Sequence, residues 1–223
     1  MSDTVEEAMR LSPNEARIVG CLIEKAVTTP ESYPLTVNSL MLAANQKTSR
    51  DPLMSLEEGE IGHALRELED RRWVRVVHGS RAHRYEHRVD DLLSATKPQR
   101  ALLCLLLLRG PQSVGELLTR SDRLAEIGGL DEVRQVLERL QQRGFVTCIG
   151  RAPGQRDDRW AHLFCGPVEA QARRDDDDRA GENMGPSASS SLAQRVAELE
   201  AVVGELRARI ESLEGRRPPE ADA

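Results

Sequence analysis

The side chains best suited to chemistry gather in a few short stretches. The five histidines are His63, His78, His83, His87 and His162, and four of them fall in or near a segment that also carries Arg81, Arg84 and Arg88. A second group, Arg151, Arg156 and Arg159, lies further along, and Lys47 and Arg50 stand upstream. Imidazoles ligate metals or exchange protons, and guanidinium groups bind phosphate oxygens in pairs. A metal site needs ligands held together on one rigid face. The four cysteines, Cys21, Cys104, Cys148 and Cys165, offer no Cys-x-x-Cys spacing to build one. Each cysteine sits in an apolar stretch and reads as a buried small hydrophobe. There is no glycine-rich phosphate loop and no Gly-x-Ser-x-Gly elbow. The expectation is a binding protein without enzymatic activity, cofactor or metal, whose cations hold phosphates without reading bases.

Short helices and hairpins must position these cations. Ser12-Pro13-Asn14-Glu15 is a capping box that opens a helix carrying Ile18, Val19, Leu22, Ile23 and Ala26, and Thr28-Thr29-Pro30 ends it. A second helix starts at Thr36. Gln46 to Ser55 reads as a loop, and Ser55-Leu56-Glu57-Glu58 reads as the cap of a third helix with Ile61, Ala64, Leu65 and Leu68 on one face. Trp73 to Val77 and Arg84 to Val89 are strands around a His78-Gly79-Ser80 turn. The pattern then recurs. Pro98 to Arg109 is an apolar helix, Ser113-Val114-Gly115-Glu116 caps a short second one, and a third carries Val133, Val136, Leu137 and Leu140. Phe145 to Ile149 and Trp160 to Cys165 are strands around Pro153-Gly154. Ile61, Ala64, Leu65, Leu68, Trp73 and Val74 match Val133, Val136, Leu137, Leu140, Phe145 and Val146 at one constant offset, the mark of an internal duplication.

Three helices followed by a hairpin is the winged-helix order. The expected fold is mainly α with small β-hairpins (α+β): two tandem winged-helix domains, residues 11–92 and 93–167, each burying its helical stripe against its own module. An acidic, Ser-rich linker (168–191) then leads to a coiled-coil helix (192–215), with disordered ends at 1–10 and 216–223. In that helix Val196, Val203 and Ile210 occupy one heptad position and Leu192, Leu199, Leu206 and Leu213 the other. β-Branched residues at the first position with Leu at the second favour a parallel two-stranded coil, so a homodimer is expected through these seven residues. The start is acidic without an apolar run, and no stretch approaches the ~18 apolar residues of a membrane span. A cytoplasmic protein with no membrane contact follows as the expectation.

The sequence resembles the YceH family of bacterial proteins. The carrying residues in the first copy are Glu15 to Gly20, Leu22 to Lys25, Thr28-Thr29-Pro30, Tyr33-Pro34-Leu35, Asn38, Asn45-Gln46-Lys47, Arg50-Asp51-Pro52 and Tyr85 to Arg88. In the second they are Leu105 to Pro111, Gly115-Glu116-Leu117, Pro153 to Arg156 and Trp160 to Phe164. The resemblance implies a tandem winged-helix fold and no particular activity.

Two functional readings follow. In the first, the chain binds DNA as a transcription regulator would, using Lys47, Arg50, His63, Arg66, Arg81, His83, Arg84, Arg88, Arg151, Arg156 and Arg159. In the second it is a protein–protein adaptor. Charge speaks for the second: the chain carries −6 overall, divided as −4 over 1–92, +3 over 93–167 and −5 over 168–223, where a dedicated nucleic-acid binder is usually basic. The outer face of the first third helix, Gly59, His63, Arg66 and Asp70, and that of the second, Asp131, Gln135, Glu138 and Gln142, are poor readers of bases.

Overall fold

The computed structural model describes residues 9–79, 82–151 and 157–167. The linker 168–191 and the heptad residues Leu192, Val196, Leu199, Val203, Leu206, Ile210 and Leu213 lie outside the described residues.

The described chain is a set of short helices with two small antiparallel sheets. Helix α1 (Pro13–Thr28) starts at the expected capping box: Ser12 N–H donates to the Glu15 carboxylate at 2.7 Å, and Glu15 N–H donates to Ser12 Oγ at 3.3 Å. Thr36 caps α2 (Val37–Ala44). Then come α3 (Glu58–Asp70), the hairpin β1 (Val74–His78) and β2 (His83–His87), and a connecting helix α4 (Val89–Leu93). Thr96 and Gln99 cap α5 (Lys97–Arg109). Strand β3 (Gln112–Ser113) leads into α6 (Val114–Ser121), capped by Ser113 and Glu116 as expected. Helix α7 (Leu130–Gln142) and strands β4 (Val146–Gly150) and β5 (Arg159–His162) complete the chain. The cap of α3 departs from expectation. It falls on Glu57, whose N–H donates to the Glu60 carboxylate at 2.8 Å. Ser55 does not serve because Asn45 ties down the backbone of the next residue: its side-chain amide donates to the Leu56 carbonyl and accepts from the Leu56 N–H, both at 2.8 Å.

The duplication extends to single hydrogen bonds. Trp73 N–H donates to the Leu68 carbonyl at 2.8 Å, and Phe145 N–H donates to the Leu140 carbonyl at 3.0 Å. Just before each aromatic residue the backbone turns left-handed, at Arg72 (φ 62°) and at Gly144 (φ 73°). Arg71 and Arg143, at matching places after α3 and α7, each donate to a carbonyl just ahead of a first helix, Arg10 and Leu93 respectively. In each sheet the register sets Val74 opposite His87 and Val146 opposite His162. Leu35 bridges Tyr85 as Gln112 bridges Trp160, so each hairpin meets the residue entering its own second helix.

The two copies do not keep separate cores. The buried apolar residues from Leu11 to Phe164, Ala101 and Ala161 apart, form one cluster. Helix α5 is the reason: Leu102, Leu103, Cys104, Leu105, Leu106, Leu107 and Leu108 are consecutive and all buried, which happens only when a helix is covered on every side. It packs along α1 as well as against its own module. At the crossing the Cys104 thiol lies 3.4 Å from the Gly20 carbonyl, and Gly20 follows its cap Ser12 at the same distance as Cys104 follows Thr96. The first helices thus meet at equivalent positions. Asp51 N–H satisfies the Leu108 carbonyl at the end of α5 at 2.9 Å, and Leu11 N–H donates to the Phe164 carbonyl at 2.8 Å. Trp73 of the first copy meets the Phe164 ring edge-on at 5.4 Å, and Phe145 of the second stacks on it at 5.5 Å. Each stripe does pack within its own copy, α3 against α1, α2 and β1 and α7 against α5, α6 and β4; the expectation of self-contained modules is corrected at the first helices, where α1 and α5 join the two cores. No helix among the described residues is long and apolar enough to cross a membrane.

Candidate interaction surface

Helix α3 turns Ile61, Ala64, Leu65 and Leu68 inward, so Glu58, Glu60, His63, Arg66, Glu67, Glu69 and Asp70 are left on the outside, all exposed. Five carboxylates therefore surround one guanidinium. Glu57, Glu58 and Glu60 sit at the positive end of the helix, where they offset the partial charge that would otherwise attract phosphate. Two leucines ahead of this helix in the chain are exposed, Leu42 on α2 (64%) and Leu53 on the α2–α3 connection (65%). On α7, Asp131, Glu132, Arg134, Gln135, Glu138 and Arg139 face solvent, and Asp131 pairs with Arg134 at 2.8 Å.

The cations expected to hold phosphate are mostly engaged within the chain. Arg50 is the clearest correction. Its side chain is 0% exposed and binds Glu24 through two bonds, Nη1 to Oε1 at 3.1 Å and Nη2 to Oε2 at 2.6 Å. Its Nε donates to the Ala43 carbonyl at 3.0 Å. Burial is the largest influence on the Arg50 pKa and works to lower it, but the Glu24 hydrogen bond and the neighbouring charges together outweigh it and raise the pKa. Arg50 is a brace between α1, α2 and the following loop, out of reach of any ligand. Arg84 and Arg159 occupy matching places in the two hairpins and do matching work. Arg84 Nη1 donates to the Pro34 carbonyl at 2.7 Å, and Arg159 Nε donates to the Pro111 carbonyl at 3.1 Å. Each pins its hairpin to the segment entering the second helix of its copy. Arg88 pairs with Asp91 at 2.6 Å and Arg151 with Asp158 at 3.3 Å. Arg81 and Arg156 lie outside the described residues. Lys47, His63, Arg66 and His83 are exposed, with His83 against His78.

The histidines divide by position. His78 and His83 sit at the exposed end of the first hairpin. His87 and His162 hold equivalent register positions at the inner ends of the two hairpins, each with a buried Nδ1 lacking a hydrogen-bond partner. Burial lowers the pKa of both and pushes His162 to about 4. Among the described residues no group of three or more His, Cys, Asp or Glu is placed to hold a metal. Burial raises the Cys21 thiol to about 11 and Cys104 well above its ordinary value, so both are inert. Cys165 is half-buried, and Cys148 is exposed on β4, contrary to the expectation of burial. Its strand continues to Ile149, which is also exposed at 39%.

Fold and surface together define a duplicated helix-and-hairpin module with an acidic helix face and exposed leucines ahead of it in the chain. Residues 11–155 match the family model described as "Protein of unknown function, DUF480". The UPF0502 protein Smlt0097 of Stenotrophomonas maltophilia is 48% identical over 96% of this chain and 100% of its own length. A UPF0502 protein of Xanthomonas campestris pv. campestris is 49% identical over 92% of this chain and 93% of its own. Another, of Pseudomonas syringae pv. tomato, is 49% identical over 93% and 94%. The chain belongs to this DUF480 (UPF0502) family, of which YceH-type proteins are members.

Proposed function

We propose that the chain is a non-enzymatic protein-interaction module built from two winged-helix units fused through their first helices. The observation that carries this reading is the division of charge. Arg50 is buried in its bond to Glu24, Arg84 and Arg159 donate to carbonyls of the same chain, and Arg88 and Arg151 stand in exposed ion pairs that a phosphate would have to displace. The helix that enters the major groove in DNA-reading relatives of this fold instead offers five carboxylates, and Leu42 and Leu53 are exposed on the segments that lead into it. Carboxylates and exposed leucines suit a protein surface that offers basic and apolar groups. Exposure of Lys47, His63 and Arg66 supports a competing reading, weak contact with duplex DNA. The heptad of residues 192–213 would pair two such modules in parallel, doubling their contacts.

Affinity capture with the full chain tests the reading, run with and without nuclease and repeated with Leu42→Asp and Leu53→Asp. The proposal expects a protein retained after nuclease treatment and lost with either variant. Retention abolished by nuclease, or unchanged in both variants, would refute it. Deleting residues 192–213 should halve the mass measured by light scattering; an unchanged mass would show that the heptad is not the dimer contact.

A further inference from the structure

The end of the first hairpin carries two side chains that neither structural bracing nor the interaction surface uses. His78 closes β1, His83 opens β2, and they face each other as the last pair of the ladder. Both are exposed. Their Nδ1 atoms are 3.2 Å apart, and the rings meet edge to face with centroids 5.1 Å apart. Two nitrogens each about 2.0–2.1 Å from one ion stand roughly 2.9–3.4 Å apart, for bond angles from square-planar to tetrahedral. The pair already has that bite. A hydrogen bond from one Nδ1–H to the other Nδ1 produces the same spacing without a metal. An ion would take the place of that proton, the donor ring changing tautomer as its single hydrogen passes through solvent from Nδ1 to Nε2, so that both neutral rings present a bare Nδ1.

The geometry points to a two-histidine site at this hairpin tip for a divalent transition ion of the zinc or copper(II) class. Neutral imidazole suits these ions, whereas magnesium and calcium prefer oxygen. No third ligand from a His, Cys, Asp or Glu cluster joins them among the described residues. The remaining coordination positions are thus open to water or to a donor from a bound molecule. The site belongs to the first copy alone: at the matching end of the second sheet Gly150 faces Arg159. Arg84, next to His83, has its guanidinium turned to the Pro34 carbonyl.

Zinc and copper(II) titrations of metal-stripped full chain test the site, using chelator competition for zinc and visible absorption for copper. One ion per chain is expected, with His78→Ala and His83→Ala each weakening it at least as much as loss of an outer-shell partner does, about 10–100-fold. Cys148→Ser should leave it unchanged. Both substituted histidines are exposed, so circular dichroism should report an intact fold. Imidazole ¹⁵N spectra should place the ion on Nδ1 of both rings. Undiminished binding in the double variant His78→Ala/His83→Ala, coordination through Nε2 alone, or no saturable binding in the parent would each overturn the assignment.

Discussion

Gly20 is where fusion of the two copies can be tested with a single methyl group. A β-carbon built there would lie 2.8 Å from Leu108 Cδ2, 2.9 Å from Leu108 Cγ and 3.3 Å from Leu107 Cβ. Carbon pairs prefer about 3.5–4.0 Å, and the Leu108 branch point cannot move without carrying its side chain out of the core. Overpacking of this kind costs about 1–3 kcal/mol. Alanine recovers about 0.8–1 kcal/mol of helix preference over glycine. Gly20→Ala should therefore destabilise the chain by roughly 1 kcal/mol. Gly20→Val has more volume and less helix preference, and should cost about 3 kcal/mol. Gly62 on α3 is the control. Its added β-carbon meets only the flexible end of Arg66, at 3.8 Å, so Gly62→Ala should stabilise by about 0.8–1 kcal/mol. Urea unfolding followed by circular dichroism measures all three. If Gly20→Ala and Gly62→Ala shift stability by the same amount, or Gly20→Val matches the parent, α5 does not lie against α1 at this point.

Other consequences follow from the same structure. Arg50→Met leaves the Glu24 carboxylate and the Ala43 carbonyl without their donor and should cost about 3 kcal/mol, the lower end for a broken buried pair because Glu24 is partly exposed. Lys47→Ala, on the surface, should stay within about 0.5 kcal/mol in the same urea assay, and equal effects would contradict the bracing role. His162, with its pKa lowered to about 4 by burial, stays neutral in the folded chain while the unfolded chain binds a proton below about 6.5. Its contribution is whole above about pH 6.5 and falls as pH drops towards 4, a loss on the order of 3 kcal/mol. His162→Gln should flatten that part of the stability–pH curve, and an unchanged slope would contradict it. Trp73 and Trp160, one in each copy, are the only tryptophans. Single-tryptophan variants should therefore give coincident urea transitions, because the core is shared. Two separated midpoints would mean two independent domains.

Local signals in the sequence locate most elements. The boxes at Ser12 and Ser113 act within three residues of themselves and stand where they are read. The repeated stripe of α3 and α7 is legible because both helices run unbroken into an aromatic residue across the same turn. The rest of the duplication is hidden from a single-offset comparison, because the α1–α2 and α2–α3 connections are longer than their counterparts α5–α6 and α6–α7. Asn45 moves the start of α3 through a contact eleven residues away, beyond the reach of any local capping rule. The arginines mislead for the same reason. Arg50 finds Glu24, Arg84 finds Pro34 and Arg159 finds Pro111 only after the chain has folded back on itself. One sign of the shared core was nevertheless present. The unbroken apolar run of α5 from Leu102 to Leu108 has no polar face, which an outer helix of a self-contained module would need.

The most direct test of whether this module recognises protein rather than DNA is a fluorescence-anisotropy titration of random-sequence duplex at about 50 mM salt, where backbone contacts are strongest. The arrangement of Arg50, Arg84, Arg88, Arg151 and Arg159 predicts no saturable binding, and Arg84→Ala and Arg159→Ala should behave as the parent does. Saturable binding that weakens steeply with salt, with a slope flattened by either variant, would contradict it.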